Sequence, residues 1–171
     1  TLAHELKRQG RRAAVLKPLP GVGSSGHDPD PDIYNHLLGQ PETQLSFRLS
    51  NGRLTAKLMD DIKGACDRVL EGQDLLLVEG TSALSDEDTG RLVDTLGAKI
   101  LVVGRYRADL HASQIAKWRK IVGDRVVGFV INGLIRYRGS DARTRLVPAM
   151  SSAGLAPLGV IPEDRTLLGV T

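Results

Sequence analysis

The sequence contains little cysteine, few aromatic residues and no long apolar run. One cysteine occurs in 171 residues, and aromatic side chains make up 4% of them. Because Cys66 has no partner within the chain, an internal disulfide framework is excluded, and we expect a cytoplasmic location. No apolar run approaches the roughly 20 residues that a transmembrane helix needs, so we expect no membrane partner.

Charge of one sign is not concentrated either. The net charge is +3, and 25% of the residues are charged. Nucleic-acid binders usually carry a dense basic stripe with interleaved aromatic residues, which this sequence lacks. We therefore expect no nucleic-acid partner and interpret the small basic groups as solvated surface. These groups are Lys7, Arg8, Arg11 and Arg12, then Arg105 and Arg107, then Arg136 and Arg138.

Short apolar runs alternate with segments whose apolar residues recur every three or four positions. The runs predict buried strands, and the recurring positions predict amphipathic helices. This alternation predicts an α/β fold in three layers, with a mainly parallel central sheet and helices on both faces. No linker or repeat divides the chain, so we expect a single domain over residues 1–171. The predicted strands cover residues 13–16, 75–78, 100–103, 126–131 and 158–161.

Ligands of a parallel α/β sheet bind at the carboxyl ends of its strands. The residues that directly follow the predicted strands are therefore the first candidates for a binding site. The four histidines show no metal-ligand spacing, and no nucleophile signature occurs. The strand-end candidates are Lys17, Glu79, residues 104–107, Asn132 and Pro162.

Glu79 follows four aliphatic residues and precedes Gly80. A carboxylate at that place is costly unless it is paired, hydrogen-bonded or bound to a metal. At the carboxyl edge of a sheet it can bind Mg²⁺ together with phosphate oxygens, while Gly80 lets the backbone approach those phosphates. The alternative is a glutamate that reaches solvent or caps the next loop, and spacing alone does not decide between the two.

Two further features place charge near the predicted strand ends. Lys17 leaves a strand and precedes a proline, so its ammonium can be aimed at an anionic ligand; a solvated surface lysine is the alternative. Asp28, Asp30 and Asp32 occur in a Pro-rich loop before a helix. Each can supply a second metal ligand or belong to a turn, with Asp32 capping a helix that starts near Ile33.

Asn132 follows the fourth predicted strand and precedes a glycine. Its amide suits the edge of a purine ring, but Asn-Gly is also a common turn pair. The Gly21-x-Gly23-x-x-Gly26 segment matches a dinucleotide-binding pattern, yet two prolines separate it from the next helix. Because that pattern needs a helix at its last glycine, a loop is the better interpretation.

A recognisable pattern runs through six segments of the chain. They are Leu16-Lys17-Pro18, the Asp-rich loop, Leu77-Val78-Glu79-Gly80, Leu101-Val102-Val103, Gly128-Phe129-Val130-Ile131-Asn132 and Leu158-Gly159-Val160-Ile161-Pro162. Together they resemble the dethiobiotin synthetase family over nearly the whole chain. The pattern is most similar to the related domain at the front of some phosphotransacetylases and of proteins with a DRTGG domain. The resemblance implies a P-loop NTPase-like fold that binds ATP, Mg²⁺ and a small-molecule substrate.

The resemblance also implies roles for the charged candidates. In the family, the strand-end glutamate and an aspartate before the second helix are metal ligands. Glu79 matches the first, and Asp32 matches the second best, with Asp30 as the alternative. Lys17 matches the lysine that contacts the reacting phosphate or carbamate, so it is the candidate catalytic residue.

The remaining implied roles concern the nucleotide. Asn132 matches the residue that reads the adenine, with Pro162 beside it, and Gly80 lies on the path of the phosphates. The family's G-x-x-x-x-G-K-[ST] loop does not occur in the chain. We expect that loop just before Thr1, which opens the helix that follows it in the family, and we expect a fused C-terminal domain beyond the other end.

Thr81-Ser82-Ala83 stands where the family has a glycine-rich segment. This departure concerns the substrate pocket, so two hypotheses stay open. The first is an ATP-dependent ligase that forms a carbon–nitrogen bond, a cyclo-ligase or a relative of the amidotransferases. The second is a regulatory nucleotide-sensing module fused to another enzyme such as a phosphotransacetylase. An oxidoreductase ranks far behind both, and a homodimer is left open.

Overall fold

A computed structural model describes residues 2–21, 30–39, 47–50, 52–107, 112–135 and 138–163. The chain divides into two compact units, Thr1–Leu96 and Gly97–Thr171. Strands and helices alternate in both. The elements of the first unit are α1 (Leu2–Arg8), β1 (Ala13–Leu16), α2 (Asp30–Leu38), α3 (Ala56–Leu70), β2 (Leu75–Val78) and α4 (Asp86–Leu96).

The first unit is built on a parallel pair of strands. β1 and β2 pair in register from Ala13 opposite Leu75 to Leu16 opposite Val78. One further backbone bond, from the amide of Glu79 to the carbonyl of Leu16 at 2.9 Å, continues the ladder past the last pair. The residues after both strands therefore emerge at the same edge.

Helix α3 supplies three of the buried core residues beside these strands, Met59, Ile62 and Cys66. The hydroxyl of Thr55 accepts a hydrogen bond from the amide of Leu58 at 3.2 Å and caps the start of the helix. After the helix, Gly72 adopts a φ of 73°, the left-handed conformation that favours glycine. The buried core of this unit consists of Leu16, Leu19, Leu54, Met59, Ile62, Cys66 and Leu92. Apolar residues recur every three or four positions from Leu54 to Val69, with Gly72 after them, and the helix that this spacing predicts is confirmed.

The second unit contains three parallel strands in the order β3, β4, β5. Consecutive strands are neighbours, because a helical connection returns the chain to the same edge each time. Phe129 and Ile131 of the central strand are completely buried. The elements are β3 (Ile100–Arg105), α5 (Ala112–Val122), a 3₁₀ turn (Gly123–Arg125), β4 (Val126–Leu134), α6 (Gly139–Asp141), a π-helical turn (Ala142–Leu146), α7 (Val147–Ser152) and β5 (Pro157–Pro162).

Two predicted boundaries are wrong by three residues, and strands β3 and β5 also extend past their predicted ends, to Arg105 and Pro162. Helix α2 begins at Asp30 rather than near Ile33, because a proline at the second position fits a first turn, where its missing N–H needs no partner. Strand β4 continues to Leu134, so Asn132 lies inside the strand and not after it. Asn132 pairs with residues of both neighbouring strands, and this pairing overrides the turn preference of Asn-Gly.

Pro148 predicts an interruption of the helix that leads to Gly154, and the structure contains a widened turn there. Residues 139–152 are helical throughout, and the π-helical turn Ala142–Leu146 ends one residue before α7 reaches Pro148. A proline inside an α-helix removes one hydrogen bond and crowds the carbonyl four residues earlier. The wider turn places both defects at the start of α7, where they are tolerated.

Parallel strands with helices between them confirm the predicted mixed α/β class, and the arrangement is consistent with a P-loop NTPase-like fold. Among the described helices, none combines the length and the apolar character needed to cross a bilayer. The expectation of one domain over the whole chain stays a prediction.

Candidate functional site

Lys17 lies at the centre of the candidate site. It follows the last residue of β1, and its side chain is only 8% exposed. Its Nζ forms an ion pair with Asp30 and lies 3.8 Å from Oε1 of Glu79. Removing an ammonium from water is costly unless opposite charge compensates, so the two carboxylates stabilise Lys17 in this position. The interpretation of Lys17 as a solvated surface lysine does not hold.

Helix α2 brings two side chains to this edge of the strand pair. Asp30 opens the helix, and Tyr34 follows one turn later, at the i+4 position on the same face. Asp30 contacts Lys17 after β1, and the hydroxyl of Tyr34 donates a hydrogen bond to Glu79 after β2. One helical turn therefore contacts both strand ends.

Each carboxylate oxygen of Glu79 has its own neighbour. Oε1 faces the ammonium of Lys17, and Oε2 accepts the hydrogen bond from Tyr34. The side chain is 39% exposed, so the carboxylate is held by protein groups and still reachable from solvent. A carboxylate in this state can take another cation without first being freed from a closed core.

The chain after Glu79 is fixed by a threonine. Oγ1 of Thr81 donates to the carbonyl of Pro20 at 2.9 Å and accepts from the amide of Ala83 at 3.2 Å. The bond to Pro20 joins the segment after β2 to the segment after β1, and the bond from Ala83 fixes the turn after Thr81. Gly80 lies between the two anchored residues, and a Cβ added to it would meet no atom within 4 Å. The space in front of Gly80 is therefore open.

The residues at this edge fit a metal ion that arrives with phosphate. Among the described residues, no group of three or more His, Cys, Asp or Glu side chains could hold a metal ion. Mg²⁺ is usually bound by one or two carboxylates, with phosphate oxygens and water as the other ligands. Asp30 and Glu79 provide two carboxylates against the single positive charge of Lys17, so the cluster keeps a negative charge that favours a cation.

Asn132 and Pro162 lie in the second unit, at one end of its sheet. Asn132 pairs with Arg105 on one side and Ile161 on the other, and its side chain is exposed. Its carbonyl accepts a hydrogen bond from the amide of Tyr106 at 2.7 Å. Pro162 ends β5 opposite Leu134, two residues further along β4. The two predicted nucleotide contacts are therefore on adjacent strands.

A polar cluster that the sequence did not indicate lies in the same unit. The hydroxyl of Tyr106 donates to Oδ2 of Asp141 at 2.8 Å, and Arg145 donates to both oxygens of Asp141 at 2.9 and 3.0 Å. The Arg145 guanidinium, and then the Tyr106 hydroxyl, lower the pKa of Asp141 to about 2. Burial, and then the contact with Asp141, raise the pKa of Tyr106. The cluster links the end of β3 to the helical segment that follows β4.

The structure brings together Lys17, Asp30 and Glu79, and adds Tyr34. Asp32, the preferred second metal ligand, lies exposed in the first turn of α2, two residues after Asp30. Thr1, Asp28 and most of the glycine-rich loop lie outside the described residues. Tyr34 lies in the helix predicted to start near Ile33, but Asp30 was outside that predicted helix, so no sequence signal linked Tyr34 to the site.

The parallel strands, the helices between them and the charged side chains at the strands' carboxyl ends define an α/β protein, and they are consistent with a P-loop NTPase-like fold. No family model matches the sequence. Two proteins resemble it along most of its length: the ATP-dependent dethiobiotin synthetase BioD of Bacillus subtilis strain 168 and that of Bacillus subtilis subsp. natto. Each is 25% identical over 183 residues, which cover 95% of this chain and 79% of the relative. The chain is thus distantly related to dethiobiotin synthetases.

Proposed function

We propose that the chain is the nucleotide-binding domain of an ATP- and Mg²⁺-dependent ligase related to the dethiobiotin synthetases. The observation that carries this proposal is the ion pairing of Lys17, whose side chain is 8% exposed, with Asp30 and Glu79 at the shared carboxyl edge of two parallel strands. The distant relationship to two ATP-dependent synthetases supports the same assignment.

In this proposal Glu79 and Asp30 hold the metal ion, with Asp32 as the alternative to Asp30 in the same helical turn. Mg²⁺, when bound, would neutralise phosphate charge. Lys17 binds the oxygens of the phosphate or carbamate that reacts. Because Lys17 is already held by carboxylates, it reaches an incoming anion with little reorganisation, which is how a preorganised site stabilises charge.

The nucleotide itself is proposed to contact four further residues. The open space in front of Gly80 supports a close approach of phosphate to the backbone there. The exposed amide of Asn132, with Pro162 on the next strand, is proposed to read the adenine. Thr1 is proposed to contact the phosphates. A small-molecule substrate, a fused C-terminal domain and a cytoplasmic location belong to the same proposal, with a homodimer left open.

One observation favours a second candidate function. Thr81 belongs to the segment Thr81-Ser82-Ala83 that stands where the family has a glycine-rich segment, and its hydroxyl is bonded to both Pro20 and Ala83. A segment fixed in this way has less freedom to shape itself around a substrate. In the dethiobiotin synthetases, the reacting carbamate forms from a diamine and CO₂. The second candidate is therefore a regulatory module that binds ATP and has no site for a diamine. Release of phosphate from ATP in the presence of CO₂ and a diamine supports the ligase, whereas tight ATP binding without turnover supports the module.

The proposed function is tested by calorimetric titration of the full-length protein with ATP in the presence of Mg²⁺. We expect Glu79→Gln to weaken Mg²⁺-dependent binding about tenfold or more, because a neutral amide is a poor ligand for a hard cation. The matched control is Glu71→Gln, an exposed glutamate after α3 in the same unit. Equal affinities of the two variants would remove Glu79 from the site.

A further inference from the structure

We infer that Tyr34 is a positioning residue that holds the Glu79 carboxylate in the orientation in which it binds a divalent cation. The inference rests on the proposed function, because it takes Glu79 as a metal ligand. Nothing in the sequence pattern assigns a role to Tyr34, and the contact between Tyr34 and Glu79 joins residues 45 positions apart.

The geometry explains why Glu79 needs a second restraint. Its side chain has three rotatable bonds, starts at a strand end and is 39% exposed, so Lys17 alone, at 3.8 Å from one oxygen, leaves it free to turn. The hydroxyl of Tyr34 donates to the other oxygen. With one neighbour at each oxygen, the rotation of the carboxylate is restricted.

A tyrosine suits this task better than a second cation would. Its hydroxyl is neutral, so it orients the carboxylate and leaves the negative charge available for a metal ion. An oxygen that accepts one hydrogen bond also keeps a lone pair for coordination. Tyr34 is itself half-buried on α2, one turn after Asp30, which contacts Lys17. The same helical turn therefore orients one proposed ligand and supplies another.

The experiment separates positioning from general structure by measuring two affinities in each variant of the full-length protein. Electron paramagnetic resonance gives the affinity for Mn²⁺ in the presence of ATP, and calorimetry gives the affinity for ATP without metal. The variants are Tyr34→Phe, Glu79→Gln and the double substitution. Thr95→Val is the control, because it also removes a hydroxyl that donates a hydrogen bond in the same unit, to the carbonyl of Arg91, at a residue with no proposed part in binding.

We expect Tyr34→Phe to weaken Mn²⁺ binding about ten- to a hundredfold, the usual effect of losing the partner of a metal ligand. Metal-free ATP affinity and the melting temperature should stay as in the wild type, and Thr95→Val should leave Mn²⁺ affinity unchanged. In the Glu79→Gln background the same substitution should have no further effect on Mn²⁺, because Tyr34 acts through Glu79.

Two results would overturn the inference alone: unchanged Mn²⁺ affinity in Tyr34→Phe while the wild type binds, or an equal loss in the Glu79→Gln background. A loss of both affinities together with a lower melting temperature would assign Tyr34 a structural role and also contradict the inference. If the wild type binds neither ATP nor Mn²⁺ with ATP, the proposed function fails, and the inference fails with it.

Discussion

Lys17 shows how a strand-end position becomes a site. The sequence indicates only that a lysine follows four apolar residues, which also describes many surface lysines. The structure removes most of its side chain from solvent and places two carboxylates beside it. Because an unpaired buried charge is costly, the three residues depend on one another, and the substitution of any one changes the electrostatics of the other two.

Gly80 and Gly128 lead to a pair of predictions about how a single added methyl group changes stability and ATP binding. A Cβ at Gly80 would meet open space, whereas one at Gly128 would lie 2.6 Å from the carbonyl oxygen of Ala156 and 2.7 Å from Cγ of Leu158. We expect Gly80→Ala to change the free energy of unfolding by less than about 0.5 kcal/mol and still to weaken ATP binding. Gly128→Ala should destabilise the protein by about 1–3 kcal/mol, because β4 and β5 must move apart.

Urea unfolding and calorimetry of both variants check this pair. If Gly80→Ala binds ATP as the wild type does, phosphate does not approach the backbone at Gly80. If instead Gly80→Ala is as unstable as Gly128→Ala, the space in front of it is not open.

Secondary-structure elements were predictable where their pattern is local. Helix α3 follows from apolar residues three and four positions apart. Helix α4 begins after Ser85, and a serine followed three residues later by Asp88 resembles a helix-capping sequence. The Oγ of Ser85 accepts a hydrogen bond from the amide of Asp88 at 3.0 Å, as that sequence predicts. The start of α2 was not predictable, because it depends on the tolerance of a helix's first turn for proline. The end of β4 was not predictable either, because pairing with the neighbouring strand decides it. Tyr34 was missed for a related reason, since its contact depends on where α2 packs.

The contact of Asp141 with Arg145 and Tyr106 leads to a prediction for the helical segment after β4. The pKa of Asp141, about 2, lies below its ordinary value of 3.8, because its neighbours favour the charged form. The contribution to stability is therefore fully present above about pH 4 and is lost as the pH falls through about 2. We expect the difference in unfolding free energy between wild type and Asp141→Asn to shrink over that interval.

Chemical denaturation between pH 7 and pH 2 measures this difference. Asp124→Asn is the control in the same unit, since the side chain of Asp124 is 95% exposed. A difference for Asp141→Asn that stays constant down to pH 2 would show that the carboxylate is not stabilised by its neighbours.

At the scale of the whole molecule, the sequence predicts one domain, and the structure contains two compact units. The chain carries one natural probe in each. Cys66 in α3 is buried, and burial raises the pKa of its thiol to about 11, so very little thiolate is present at pH 8. Trp118, the single tryptophan, lies in α5 of the second unit.

We expect both probes to report the same unfolding transition if the single-domain prediction holds. The reaction of Cys66 with a thiol reagent at pH 8 should begin at the urea concentration at which the fluorescence of Trp118 changes. Two separated transitions would show that the units unfold independently, and the single-domain prediction would be wrong.

The most direct test of the central claim, that the edge formed after β1 and β2 binds a metal–nucleotide complex, is paramagnetic broadening of amide signals by Mn²⁺ in the presence of ATP. If this edge is the binding site, the amide signals of Lys17, Glu79, Gly80 and Thr81 broaden first. The substitution Glu79→Gln then abolishes this broadening. Helix α4 begins with Asp86, Glu87 and Asp88, an acidic segment of the same unit. Broadening there, with the strand-end amides unaffected, would contradict the claim.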